Sequence, residues 1–198
     1  MRTSGKWGLP SIYGLKASAG YFIGADISRN TVSLAVSNFK GSIIDYQDDI
    51  PFTLESTVQS MDELSGLLRK YISKLGIDED SVLAYGANLT GRINHITGYS
   101  FSYFMGEDKP LASMLEDRLK APVYIENDSR AMAYGEYICG VASNEKDMLF
   151  INVSWGLGMG MVLDGKPHYG KSGFSGEIGH FPLLDNDIIC QCGKVGCL

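Results

Sequence analysis

Four side chains close to the end of the chain have the types and spacing of a metal site: His180, Cys190, Cys192 and Cys197. One imidazole and three thiolates make up the closed four-coordinate shell of a structural zinc. Gly193 and Gly196 lie among them and let the backbone fold round an ion, and Gly179 leaves room beside His180. The competing account is three free thiols near a frayed end. Cys139, by contrast, falls in a predicted helix and reads as a small buried apolar residue. A second constellation is Asn127-Asp128, where the apolar run Val123-Tyr124-Ile125 gives way to a helix predicted over Ser129 to Cys139. A helix N-terminus favours negative charge and would keep a carboxylate ionised there, although an N-cap is the simplest use for either residue. Gly156, Gly158 and Gly160 form the third group. Leu157 between them cannot donate a hydrogen bond to phosphate, so the glycines read as a tight turn between strands rather than a nucleotide cradle. His95 and His168 match no motif and are assigned surface or structural roles.

The elements that must position these residues follow from patterning. The chain has 198 residues, 44% of them hydrophobic, enough for one sizeable core or two small ones. Its net charge of -6 gives it no general attraction for nucleic acid or an anionic bilayer. No apolar run approaches the roughly 20 residues of a membrane span, and Met1 to Ser11 lacks the apolar segment of a signal peptide. A cytoplasmic protein without membrane contact is expected. Residues 1–20, rich in Gly, Ser and Lys, read as a lead-in. From Tyr21 come three predicted strands, Tyr21 to Asp26, Thr31 to Ser37 and Ser42 to Ile50, split by turn residues. Met61, Leu64, Leu67, Leu68, Tyr71, Ile72 and Leu75 then mark an amphipathic helix closed by Gly76. A strand over Val82 to Ala87, a helix after Pro110, the strand at Val123 and the helix from Ser129 follow. Met148 to Val153 and Gly160 to Leu163 are the last predicted strands, and residues 88–110 show no clear period.

Three strands followed by helix, strand, helix, strand, helix resembles the ribonuclease-H-like lobe of sugar kinases, actin and heat-shock ATPases. The implied fold class is α/β, a mixed sheet flanked by helices, with a C-terminal zinc-binding segment. The motifs narrow the likeness. Gly176-Glu177-Ile178-Gly179-His180 followed by Cys190-Gln191-Cys192-Gly193-Lys194-Val195-Gly196-Cys197 closely resembles the zinc motif of the ROK family of repressors, open reading frames and kinases. Ile125-Glu126-Asn127-Asp128, leading into Ala131 to Glu136, resembles the family's Asn-Asp element, and Gly156 to Gly160 with Asp164-Gly165-Lys166 its glycine-rich strand-turn-strand. The resemblance implies that Asn127, Asp128, Glu177 and His180 meet sugar hydroxyls. In a kinase of the family, Asp128 would be the general base that takes a proton from the attacking hydroxyl. His180 would hold zinc with one ring nitrogen and sugar with the other.

Two departures point away from phosphoryl transfer. Family kinases open with a D-x-G-x-T turn, whereas this chain has Asp26-Ile27-Ser28-Arg29-Asn30, with Ser28 in place of the glycine and Thr31 one place late. Their second nucleotide-facing turn usually reads G-T-G, against Gly156-Leu157-Gly158 here. No nucleotide-binding residue can be assigned. The segment Ser4 to Leu15 also resembles the junction, in ROK repressors, between a winged helix-turn-helix and the sugar domain. The domain reading is therefore a lead-in from a missing DNA-binding module at 1–20, a ribonuclease-H-like lobe at 21–170, and a zinc-binding segment at 171–198 with the second lobe truncated. The leading expectation is the sugar-sensing domain of a ROK transcriptional regulator, not an enzyme. It would bind a hexose or amino sugar, carry structural Zn2+, form a homo-oligomer, and reach DNA only through the missing module. The rival is an ATP-dependent hexose kinase using Mg-ATP, since Asp26 and Asp128 are both present. A zinc-stabilised oligomerisation module without ligand is a third possibility. At the place where many relatives have a sugar-contacting asparagine this chain has Ser102, so the identity of the sugar stays open.

Overall fold

The computed structural model describes residues 13–154, 156–190 and 192–198. Most of the lead-in, including residues 4–12 of the repressor-like junction, lies outside the described residues. The first three strands are β1 (Tyr21–Ile27), β2 (Thr31–Asn38) and β3 (Ile43–Pro51). They form an antiparallel meander, with Ile27 opposite Val32 and Thr31 opposite Pro51. Strand β4 (Val82–Leu89) joins β1 in parallel, and β7 (Val123–Asn127) joins β4 in parallel, so the five-stranded order is β3-β2-β1-β4-β7. Between β4 and β7 the segment that lacked a period holds a small hairpin, β5 (Ile93–Asn94) and β6 (Tyr99–Ser100). The Asn94 side chain builds its turn by accepting from the backbone N–H groups of Ile96 and Thr97.

Alternation along the strands sets the core. Ile23, Ala25 and Ile27 of β1, Val32, Leu34 and Val36 of β2, and Val123 and Ile125 of β7 all turn to one face. Helix α1 (Val58–Lys74) covers that face with Met61, Leu64, Leu68, Tyr71 and Ile72, and α2 (Leu111–Leu119) with Leu111, Leu115 and Leu119. Thr57 caps α1 by accepting from Ser60 N at 3.1 Å. Gly76, at φ +69, ends it as expected. On the opposite face Phe22, Ile43 and Tyr124 remain exposed.

Helix α3 (Asp128–Cys139) leaves β7 directly and packs on a second sheet, built from β8 (Met148–Val153), β9 (Leu157–Leu163) and β10 (Lys166–Pro167) in the order β10-β9-β8. The two last predicted strands thus pair with each other and not with the five-stranded sheet. Two readings are corrected here. Gly158 and Gly160 do not serve a turn but lie inside β9, which begins at Leu157 rather than Gly160. A methyl at Gly158 would strike the Ser129 hydroxyl, and one at Gly160 the Ser129 carbonyl and Ala133 Cβ, so the glycines are there to let α3 lie flat on the strand. Cys139 is exposed rather than buried, because the buried residues of α3 are Ser129, Arg130 and Ala133 and Cys139 ends the helix away from them.

Candidate functional site

The parallel strands β1, β4 and β7 end at a common edge, and their second-to-last residues form a polar row. Ser33, Asp26, Asn88 and Glu126 are successive neighbours across β2, β1, β4 and β7. The carboxyl edge of a parallel sheet is where open α/β folds bind ligands. The row ends at the start of α3, where Asn127 and Asp128 sit. Asn127 is buried and is the N-cap: its Oδ1 accepts from Arg130 N at 3.1 Å, and its Nδ2 donates to the Gly91 carbonyl at 3.0 Å and to Asp128 Oδ1 at 2.9 Å. Asp128 Oδ1 also accepts from Ser129 N at 2.6 Å and from the Ser129 hydroxyl at 3.2 Å. Asn152 of β8 donates to that hydroxyl at 3.2 Å, tying the start of α3 to the second sheet. The carboxylate is therefore fixed in direction before any ligand arrives.

Other charges gather round it. Burial, and then the Asp128 carboxylate, push the pKa of Asp26 above its ordinary value. Tyr103 is also raised, by burial first, with Arg29 opposing and Asp128 adding to the shift. Two carboxylates, a phenol and a guanidinium thus act on one another's charge at this edge. Sequence reasoning placed Asp26 there only for the kinase reading and missed Tyr103, which no motif or period marks. The β1–β2 turn closes tightly, Ser28 N donating to the Thr31 carbonyl at 2.9 Å, with Arg29 exposed at its tip. Ser102 approaches Gly91, and its hydroxyl accepts from Arg92 N at 3.0 Å.

The segment that carries Glu177 and His180 packs against β9. Met159 N donates to the Gly176 carbonyl at 3.1 Å, and Gly179 fits where any side chain would strike the Leu157 carbonyl. The first half of β9 thus has Ser129 against Gly158 and the 176–180 segment against Leu157 and Met159. Among the described residues no hydrogen bond joins Asp128 to Glu177 or His180; what the start of α3 and the 176–180 segment share is packing on the first half of β9.

The four residues proposed as metal ligands do come together. The donor atoms of His180, Cys190, Cys192 and Cys197 lie within 4.8 Å of one another. His180 Nδ1 stands 3.5 Å from Cys190 Sγ, and Cys192 Sγ 3.6 Å from Cys197 Sγ. A tetrahedral thiolate shell at zinc distances has edges of about 3.8 Å, so the donor set fits a metal ion of that size. The Cys197 thiol is pushed up to about 11 by desolvation and by its neighbours Cys192 and Cys190, while Cys192 is lowered, chiefly by a backbone hydrogen bond at Lys194. A turn builds the cluster: Gly193 N donates to the Cys190 carbonyl at 2.9 Å and Cys190 N to the Lys194 carbonyl at 2.8 Å.

A sequence model of the ROK family matches residues 22–198, which takes in both sheets, the Asn-Asp element and the cysteine cluster. The chain belongs to the ROK family. Among relatives of this ROK chain is a putative xylose repressor of Caldicellulosiruptor sp. (strain Rt8B.4), 31% identical over 192 residues, covering 96% of the chain and 48% of that protein. A ROK family glucokinase from Streptomyces griseus, in complex with glucose and AMPPNP, has the same fold with a TM-score of 0.75 at 27% identity, over 90% of this chain and 55% of that one. A ROK family transcriptional regulator described as a homologue of the E. coli MLC protein gives 0.74 at 23% identity, over 91% and 46%. The ROK chain spans about half the length of that xylose repressor. Its fold is the α/β fold of ROK sugar kinases, a mixed sheet with helices. Among the described residues no helix is long and apolar enough to cross a membrane.

Proposed function

We propose that this ROK chain is the effector-binding part of a transcriptional regulator and takes a monosaccharide or amino sugar at the edge of β1, β4 and β7. The observation that carries the reading is a carboxylate held by three hydrogen bonds near a β1–β2 turn that lacks the glycine of a nucleotide turn. Asp128 is aimed by Asn127 and Ser129, while the neighbouring β1–β2 turn offers Ser28 and Arg29 where a nucleotide turn needs glycine. Carboxylates aimed in this way accept hydrogen bonds from vicinal hydroxyls, and no proton need be transferred for binding. Asp128, Glu177 and His180 are proposed to meet the sugar. Asn127, both of whose amide N–H groups are committed within the protein, holds Asp128 and keeps at most one carbonyl lone pair for a ligand.

Zinc is proposed for the cysteine cluster. Nδ1 of His180 and the sulfurs of Cys190, Cys192 and Cys197 would hold it. The ion supplies no redox or hydrolytic chemistry in a closed shell of this kind. His180, held through Nδ1, keeps Nε2 for a sugar hydroxyl. The name of the Caldicellulosiruptor relative supports the repressor reading. The net charge of -6 gives these 198 residues no general attraction for DNA, so the DNA contact of the proposed regulator is assigned to another part of the polypeptide.

The kinase reading keeps one specific observation, the closeness of Asp26 to Asp128, the two acids that phosphoryl transfer would need for metal positioning and base catalysis. A coupled assay of the full-length protein with ATP, magnesium and a panel of hexoses separates the two. The expected result is calorimetric binding of a monosaccharide with no turnover. Turnover abolished by Asp128→Asn would overturn the sensor reading.

A further inference from the structure

The stretch that leads to Glu177 and His180 is tied to the β5–β6 hairpin by a ring stack. Tyr169, two residues beyond β10, lies against the His95 ring, with centroids 3.8 Å apart and 20° between the planes. The guanidinium carbon of Arg130 lies over the same tyrosine, 5.7 Å from its centroid. Arg130 is only 4% exposed. Its Nε donates to Glu126 at 2.8 Å and its Nη2 to the Ile93 carbonyl at 2.9 Å. Its Nη1, like Nδ1 of His95, is buried with no hydrogen-bond partner among the described residues. Four stretches of chain therefore meet at one ring: the β5–β6 hairpin, the end of β7, the first turn of α3 and the strand-exit segment at Tyr169.

Beyond Tyr169 the chain closes on itself. Ser175 N donates to the Tyr169 carbonyl at 3.1 Å, and the Ser175 hydroxyl donates to the His168 carbonyl. Gly176 then docks on Met159, and Glu177 follows. A shift of the Tyr169 ring thus shifts the base of the loop from which Glu177 and His180 project. The same guanidinium is anchored on the turn that begins with Asp128, so one contact references both halves of the site. A buried cation with an unpartnered N–H is costly; Glu126 and the tyrosine face are what offset it, which binds the arrangement to Tyr169 being in place. Burial and the Glu126 charge also raise the Tyr169 hydroxyl above its ordinary pKa.

We propose that Tyr169, held by His95 and Arg130, is a positioning residue for the sugar: the stack sets the distance between Asp128 and the Glu177–His180 segment, and acts on affinity through them. The contact stands on its own geometry, while its effect on sugar binding rests on the function proposed above. The test combines calorimetry of the full-length, zinc-loaded protein against D-xylose and D-glucose with backbone hydrogen exchange at residues 176–180, measured without sugar. Tyr169→Leu is expected to weaken binding about tenfold or more and to speed exchange at 176–180. Tyr169→Phe, which keeps the ring, should stay within about threefold of the parent protein in both. Should Tyr169→Leu not fold, His95→Ala and its rescue by His95→Phe are read by the same criteria. Unchanged affinity and exchange in Tyr169→Leu, or in His95→Ala, would overturn the proposal. So would lost affinity with unchanged exchange, which would make the tyrosine a direct ligand contact. If the parent protein binds neither sugar nor any other hexose, the proposed function fails, and the exchange result alone decides whether the stack holds the segment.

Discussion

Replacing Asn127 by alanine separates a structural amide from a ligand-binding one. Three hydrogen bonds are lost: the cap to Arg130 N at 3.1 Å, the donation to the Gly91 carbonyl at 3.0 Å and the donation to Asp128 at 2.9 Å. Loss of an N-cap costs about 1 kcal/mol. Leaving the part-buried Gly91 carbonyl without its donor costs about 1 kcal/mol more. Asp128 keeps both bonds from Ser129, so the third loss adds only a few tenths. The sum is about 2 to 2.5 kcal/mol, which for a chain of this length lowers Tm by about 4 to 10 °C. Asn127→Ser retains a capping oxygen and should recover about 1 kcal/mol of this. Urea unfolding of the full-length protein, followed by circular dichroism, gives the stabilities, and sugar calorimetry on the same samples gives the affinities. A loss below about 0.5 kcal/mol in Asn127→Ala, together with collapsed sugar affinity, would refute the assignment and make the amide a sugar contact.

Three further outcomes follow from the packing and charges. Gly160→Ala should cost about 1 to 3 kcal/mol, because the methyl meets the Ser129 carbonyl and Ala133; Gly135→Ala, with open space at the same helix, should instead gain up to about 1 kcal/mol in the same unfolding assay. Asp26 has its folded pKa raised, so its contribution to stability is full below the unfolded value and is lost as pH rises through the folded one. Asp26→Asn should accordingly raise Tm at neutral pH, and the gain should shrink as both proteins are titrated down into the carboxylate range. Cys192→Ser should lower the zinc content from about one per chain and reduce Tm; metal analysis showing unchanged occupancy would remove zinc from the site.

What the amino-acid order determined was most of what is periodic, while the short β5–β6 hairpin built on Asn94 escaped it. The alternation in β1 and β2, the heptad-like spacing from Met61 to Ile72 and the glycine at 76 are short-range signals, and the elements formed within a residue or three of where those signals placed them. The cysteine cluster was equally legible, since ligand type and interleaved glycines are themselves its geometry. Tertiary structure decided what depends on who lies across from whom. Gly158 and Gly160 look like turn residues until α3 is laid on β9. Asn127 and Asp128 look interchangeable as caps until the helix starts, and then one is the cap and the other the aimed carboxylate. His95, Tyr169 and Arg130 are separated by 35 to 74 positions in sequence and come together only because the β5–β6 hairpin and the stretch after β10 both fold against the start of α3. Local preferences are set by a residue and its near neighbours, whereas such contacts depend on loop closure and packing that no window of sequence contains.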